Sequence, residues 1–270
     1  MAATKEETTP KDQLAAEYEE YQAKGRIWGD VPREYIKKLK FPRVDKKIID
    51  QFLALDDLTG TISDVLDSIG LNGVIPASYL KPLIPGAKMA GTAITVRSIP
   101  ERKTATQGLH DRDFIRMATR DGNYLAEPGD VFVADFGGDP GVSNYGAQAI
   151  DVAKGCGIVG GIFNGAVRDI PAFTDRNFPA WVVGRTPITG KCRMQAIEIN
   201  GPLNVQGVLV EPGDLIVADD SGVCVIPPDR VEYVLGKCKS IIGEEATMRD
   251  LIEKNISIDE LKPLYRKRYK

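Results

Sequence analysis

EPGDVFVAD (Glu127–Asp135) returns later in the chain as EPGDLIVAD (Glu211–Asp219), identical at seven of nine positions. Pro-Gly-Asp is a tight-turn sequence in which glycine is free to take a positive φ, and each turn runs straight into an apolar segment of strand length. The pair predicts two similar turn-and-strand corners in one layered α/β body. The flanking residues do not match, so the echo is not a tandem repeat.

Outward from these corners the chain alternates between the two periodicities. Upstream, MAGTAITVRSI (Met89–Ile99) reads as a strand by its alternation and β-branched content. TISDVLDSI (Thr61–Ile69) reads as a helix with Ile62, Val65, Leu66 and Ile69 on one face, and Thr59 or Thr61 as its cap. DVFVADF (Asp130–Phe136), a helix over Gly146–Lys154, then IVGGIF (Ile158–Phe163) and AWVVG (Ala180–Gly184) follow. VQGVLV, DLIVAD and GVCVIP make the later segment strand-rich, before a helix from about Asp229 to Glu253. Short strands with few helices between them predict a β/β/α layered domain rather than the βαβα alternation of a doubly wound sheet. The body spans 46–255. Before it, 1–45 forms an arm that opens with a helical stretch (Lys11–Lys24) and continues as WGDVPREYIKKLKFPRV. After it, 256–270 is a basic tail ending KPLYRKRYK.

The 270 residues carry 35 Lys+Arg against 38 Asp+Glu, a net charge of −3, which gives no electrostatic case for nucleic acid or an anionic membrane as partner. No apolar run approaches the roughly 18 residues of a membrane span. The polar N-terminus lacks an apolar signal core, so a cytoplasmic home with reduced thiols is expected for Cys156, Cys192, Cys224 and Cys238. One histidine, His110, excludes any site built on two or more histidines and leaves little room for a triad. Flanked by acids, it reads as a general base or, more simply, as a solvated side chain. GCGIVG (Gly155–Gly160) fits G-x-G-x-x-G, but with a helix before it and a strand after it, the reverse of a dinucleotide fingerprint. Its glycines instead read as a helix C-cap. GRTPITGKC (Gly184–Cys192) has the wrong spacing for a P-loop, with cysteine where the magnesium-binding hydroxyl belongs.

GIVGGIFNGAVRDIPAF (Gly157–Phe173) is different in kind: a buried strand delivers Arg168 and Asp169 at its end. Arginine offers a planar fork to a carboxylate, and aspartate offers oxygen to a hard divalent cation. The plain alternative is a surface ion pair. FGGDPGVSNYG (Phe136–Gly146) follows another strand and precedes a helix, where a glycine-rich loop turns N–H groups toward an anion or simply connects.

With these stretches in hand, the segment from about Thr59 to Val234 resembles the RraA-like family, which includes class II 4-hydroxy-4-methyl-2-oxoglutarate aldolases and regulators of ribonuclease E activity. TISDVLDSIG, IPGAKMAGTAITVRS, GIVGGIFNGAVRDI and the two EPGD blocks carry the resemblance. It implies a swivelling-type β/β/α fold, assembled as a homotrimer or homohexamer with active sites between subunits. It also implies Mg²⁺- or Mn²⁺-dependent cleavage of a 4-hydroxy-2-oxo acid, or decarboxylation of oxaloacetate, to pyruvate through a metal-stabilised enolate. By that match Asp169 binds the metal, and Arg168 binds the oxo acid and stabilises the enolate. Ser143, Asn144, Tyr145 and Gly146 give backbone N–H groups to the substrate carboxylate. The sequence departs from the aldolases at Ala147, where they carry an acid with twenty residues between it and the arginine; Asn144, Gln148 or Asp139 would have to compensate. Glu244 and Glu245 lie where some aldolases lend a carboxylate to the neighbouring subunit. The resemblance leaves two alternatives: a non-enzymatic protein-binding regulator, or another enolate reaction such as isomerisation or dehydration. No S-adenosylmethionine loop is present to support a methyltransferase.

Overall fold

The structure is a computed structural model describing residues 10–113 and 116–268; the polar residues 1–9 and the last two of the basic tail lie outside them. In the arm, α1 spans Pro10–Ala23. Helices α2 (Lys46–Leu53) and α3 (Leu58–Ser68) lead into β1 (Val74–Pro76), β2 (Lys81–Pro82) and a long β3 (Met89–Pro100). Then come α4 (Ala105–His110), α5 (Thr119–Leu125), β4 (Asp130–Asp135), α6 (Ala147–Gly155), β5 (Gly160–Val167), α7 (Ile170–Asp175) and β6 (Ala180–Arg185). The last third holds β7 (Met194–Ile199), β8 (Leu203–Val205), β9 (Val208–Val210), β10 (Leu215–Asp219), β11 (Gly222–Ile226), α8 (Val231–Glu253) and α9 (Ile258–Arg268). The basic tail is therefore helical along most of its length.

The main sheet runs β1-β11-β10-β3-β4-β5-β6-β2, with β7 also on β3. The echoed strands flank β3: β4 pairs with it in parallel over Thr92–Arg97, and β10 antiparallel over Met89–Thr92. Both turns have the same construction. Gly129 and Gly213 take φ of +95° and +105°, and Asp130 and Asp214 each accept the N–H of the turn's glutamate at 2.8 Å. Gly91 of β3 has no room for a side chain, because a Cβ there would lie 2.3 Å from the Gly129 carbonyl.

The two corners differ in charge. Arg43 of the arm grips the buried Asp130 carboxylate at 3.1–3.2 Å, and Arg26 pairs with Glu127. Asp214 has no arginine partner among the described residues, and burial pushes its carboxyl up to about 6.

Alternation along β4 sorts the core into layers. Val131 and Val133 face the β8–β9 hairpin with Trp181, while Phe132 and Ala134 face α6 and α7 with Tyr145, Ile150, Phe163 and Phe173. Helices α2, α3 and α8 cover β10 and β11 in a third cluster. The result is the expected β/β/α layering with an N-terminal helical arm. Tyr21, Val31, Ile36 and Leu39 of that arm are buried in the same cluster as Phe132.

Two local expectations need correction. VQGVLV is not one strand: Gln206 and Gly207 both take positive φ (52° and 88°), a two-residue hairpin loop that folds the segment onto itself. Nor do Thr59 and Thr61 cap α3; both lie inside it, buried. The cap comes from the end of β10, where Asp219 accepts Thr59 N–H at 3.1 Å and its hydroxyl at 2.6 Å. The GCGIVG glycines behave as read, with Cys156 closing α6 and Gly157 at φ +83° turning into β5.

Candidate active site

Strand β5 is buried along its whole length and delivers Arg168 and Asp169 at its C-terminal end, the edge of a parallel sheet where ligands bind. Asp169 sits at φ +55°, a left-handed conformation that aspartate tolerates better than most residues, and opens α7 with Pro171 in its first turn. Arg168 N–H donates to the Tyr145 carbonyl at 2.9 Å, which ties the strand end to the glycine-rich loop. Asp169 Oδ2 accepts Ala147 N–H at 3.0 Å and stands 3.5 Å from Arg168 Nε. Gly146 brings the loop close against both, since a Cβ there would fall 2.6 Å from Asp169 Oδ2 and 2.9 Å from Arg168 Cγ and displace the two side chains.

The loop from Phe136 to Gly146 is fixed rather than slack. Asn164 on β5 takes the N–H groups of Phe136 and Gly138 on its carbonyl, and its amide donates to Asp135 at 2.7 Å. Ser143 bridges to Ala166 and Thr189; its N–H goes to the Ile188 carbonyl at 2.9 Å and its hydroxyl to the Tyr145 carbonyl at 3.0 Å. The Tyr145 ring is a core anchor, 4.5 Å from Phe163 between centroids, with its hydroxyl on Asn123 at 3.2 Å. Burial pushes that phenol far above its usual range, so Tyr145 offers the site backbone only.

A cavity of about 520 Å³ opens over these groups, within the ordinary range for small-molecule sites. Ser143, Asn144, Tyr145, Gly146, Arg168 and Asp169 all line it. Ser143's N–H is already spent on Ile188, and its parallel bridge to Ala166 turns the Asn144 N–H toward Ala166, whereas those of Tyr145 and Gly146 meet no acceptor among the described residues. The Asn144 side chain is 2% exposed, and neither its amide oxygen nor its nitrogen has a partner among the described residues. Of the groups that would compensate for Ala147, Asn144 and Gln148 line the cavity and Asp139 does not; its carboxylate accepts Gly141 N–H instead. On α8, Glu244 is exposed and Glu245 half-buried, and both lie outside this cavity.

Three lining charges escape sequence reasoning: Asp30 from the arm, Arg120 from α5 and Lys191 after β6. No spacing rule joins them, because the arm's docking on α5 is what brings Asp30 there. His110 is exposed and off the cavity. Cys224 and Cys238 are buried, with thiols pushed upward by burial, Cys238 to about 11.

The family model "RraA-like: Aldolase/RraA" matches residues 59–225. The chain belongs to the RraA-like family. It is 35% identical over 198 residues to a Halalkalibacterium halodurans protein named "Putative 4-hydroxy-4-methyl-2-oxoglutarate aldolase", covering 73% of this chain and 86% of that one. It is 30% identical over 204 residues to Protein DlpA of Legionella pneumophila, covering 76% of this chain but only 32% of DlpA. The chain thus spans about a third of that relative. Among solved structures, an uncharacterized Pseudomonas syringae pv. tomato protein superposes with a TM-score of 0.67 at 25% identity, covering 82% of this chain and all of that one. RraAS2 of Streptomyces coelicolor shares the fold, with a TM-score of 0.63 at 23% identity over 78% of this chain and 99% of its own.

RraA-like aldolases imply Mg²⁺ or Mn²⁺, and the donor chemistry of this cavity fits a hard cation. Asp169 spends Oδ2 on Ala147 and Arg168, while Oδ1 accepts nothing among the described residues. The buried Asn144 amide, unpartnered among the described residues, lines the same cavity. No cluster of three or more His, Cys, Asp or Glu ligands exists among the described residues. One or two carboxylates with water and substrate oxygens suffice for Mg²⁺.

Proposed function

We propose that this RraA-like chain is a divalent-metal-dependent carbon–carbon lyase that converts a small 4-hydroxy-2-oxo acid, or oxaloacetate, to pyruvate. The observation that carries the reading is the Arg168–Asp169 pair at a strand end, facing a small cavity beside the N-terminus of α6. Mg²⁺ or Mn²⁺, held by Asp169, supplies Lewis acidity at the 2-oxo group. The chain's own groups do the rest. The N–H groups of Tyr145 and Gly146 receive the substrate carboxylate, aided by the positive end of α6 and by the buried, unpartnered Asn144 amide. Arg168 places its permanent charge where the enolate oxygen develops, so the interaction strengthens toward the transition state. Asp169 is positioned by the Ala147 N–H.

This reading also carries a homotrimer or homohexamer with sites between subunits. Ile188, 47% exposed next to the lining residue Thr189, supports a neighbour at the cavity edge. No helix among the described residues is long and apolar enough to cross a membrane. Together with four free thiols, this supports a cytoplasmic enzyme. Ala147, which ligates nothing, favours a second reading as a protein-binding regulator. The deciding experiment offers oxaloacetate and 4-hydroxy-4-methyl-2-oxoglutarate to the purified chain with Mg²⁺, Mn²⁺ or EDTA. Metal-dependent pyruvate release above the metal-only background is expected. Its absence overturns the lyase assignment.

A further inference from the structure

The cavity lining also carries charge that cleavage at Arg168–Asp169 does not use. Arg120 lies in the first turn of α5 and lines the cavity, with its guanidinium carbon 5.2 Å from the centroid of the Trp28 ring. Trp28 in turn stacks on Tyr124, one helical turn further along α5, at 5.5 Å between centroids and 1° between planes. The next two backbone N–H groups of the arm, from Gly29 and Asp30, both donate to Asp121 Oδ1 at 3.1 Å. Trp28-Gly29-Asp30 is therefore clamped onto α5 by Arg120, Asp121 and Tyr124, and the arm's half of the clamp lies outside the matched 59–225.

Among the described residues neither Arg120 nor Lys191 has a carboxylate in ion-pair contact, whereas Arg168 faces Asp169. The cavity is lined by three cations (Arg120, Arg168, Lys191) and two carboxylates (Asp30, Asp169), an excess of one positive charge before any metal. A substrate carrying a single carboxylate, received at the glycine loop, leaves Arg120 without a partner. A planar guanidinium backed by an indole keeps its N–H edges free and keeps its charge at any working pH, which suits a carboxylate better than a mobile ammonium does.

We infer that Arg120, oriented by Trp28 of the arm, is the specificity-determining residue for the second carboxylate of a dicarboxylic 2-oxo acid. This rests on the proposed reading only in placing the 2-oxo end at Arg168–Asp169. The arm is then part of the site, and it selects dicarboxylic over monocarboxylic oxo acids by lending Arg120 its orientation.

Calorimetric titration of the full chain with 2-oxoglutarate and with 2-oxobutyrate, in the presence of Mn²⁺, tests this without turnover. Wild type is expected to prefer the dicarboxylate by at least about tenfold. Arg120→Gln weakens 2-oxoglutarate by about 10- to 100-fold and leaves 2-oxobutyrate unchanged. Trp28→Ala reproduces part of that loss, and the double variant is no weaker than Arg120→Gln alone. Arg120 is exposed, so its variant folds. Equal weakening of both acids, no weakening of either, or a wild type that binds neither overturns the inference. Failure of the lyase reading is scored separately, as absence of pyruvate from a wild type that still discriminates the two acids.

Discussion

Asp169 Oδ2 accepts the backbone N–H of Ala147 at 3.0 Å, so the acid beside Arg168 also closes the N-terminus of α6. That contact gives one carboxylate two tasks. It fills one of the open N–H groups at the start of the helix, and it leaves Oδ1 without a partner among the described residues. Asp169→Asn separates them, because asparagine tolerates the left-handed backbone and still offers an oxygen to Ala147. Pyruvate turnover should fall by at least about 100-fold while the melting temperature moves little. Arg168→Ala should match that loss. Turnover within a few-fold of wild type in either variant removes the pair from the chemistry.

Gly146→Ala probes the same geometry from the loop. Gly146 has φ of −167°, extended backbone open to any residue, so the methyl brings no backbone strain. It does arrive 2.6 Å from Asp169 Oδ2 and 2.9 Å from Arg168 Cγ, and both side chains must move. Because their side chains are about half exposed (44% and 43%), they can move cheaply. The expected result is a large loss of turnover, about 100-fold, with stability within about 1 kcal/mol of wild type in urea titration.

Strands and layers were legible because their signal is local. The EPGD echo fixes two turns by glycine φ, and alternation along DVFVAD assigns its two faces. Arg168 and Asp169 were legible for a similar reason, since the strand that delivers them runs straight through the motif. The rest depends on residues far apart in sequence. The cap of α3 pairs Thr59 with Asp219, and the cavity's far wall depends on Trp28 meeting Arg120 and Tyr124. No periodicity encodes such meetings. The VQGVLV hairpin is not legible, because Gln-Gly is not one of the common two-residue loop pairs and the apolar residues on both sides read as one run. Ser143 shows the converse limit: its type and position fit anion binding, yet its N–H pairs with Ile188.

The α3 cap yields a stability prediction. Asp219 is bonded to Thr59 N–H and hydroxyl and to Ser221 N–H at 2.8 Å. Asp219→Ala leaves these donors unmatched and should cost about 1–2 kcal/mol in chemical denaturation. A loss below about 0.5 kcal/mol would show that another group caps the helix.

Asp214 and Asp130 occupy equivalent turns, but among the described residues only Asp130 has an arginine partner. Burial raises the Asp214 carboxyl from the ordinary 3.8 to about 6. A raised folded-state value means the contribution is fully present below the unfolded value and is lost as pH climbs through about 6. Asp214→Asn keeps an acceptor for Glu211 N–H and removes the ionisation. The variant should match wild type near pH 4 and gain on it as pH rises to 7, by about 2 kcal/mol. A pH-independent difference between the two unfolding curves would place the titration elsewhere.

Ala147→Asp bears on how this branch of the family manages without the aldolases' acid. Ala147 opens α6, and its N–H already holds Asp169, so a new carboxylate there joins the same wall of the cavity. The positive helix end favours it, and Asp169 next to it disfavours it until a cation neutralises the pair. Mn²⁺ affinity, read by titration of the protein alone, should rise about tenfold, and the Mn²⁺-induced gain in melting temperature should grow with it. The gain should disappear in the Asp169→Asn background, since the two carboxylates act on one ion. An unchanged affinity would mean that Asn144 and Asp30, both lining the cavity, already complete the oxygen set that Ala147 leaves open.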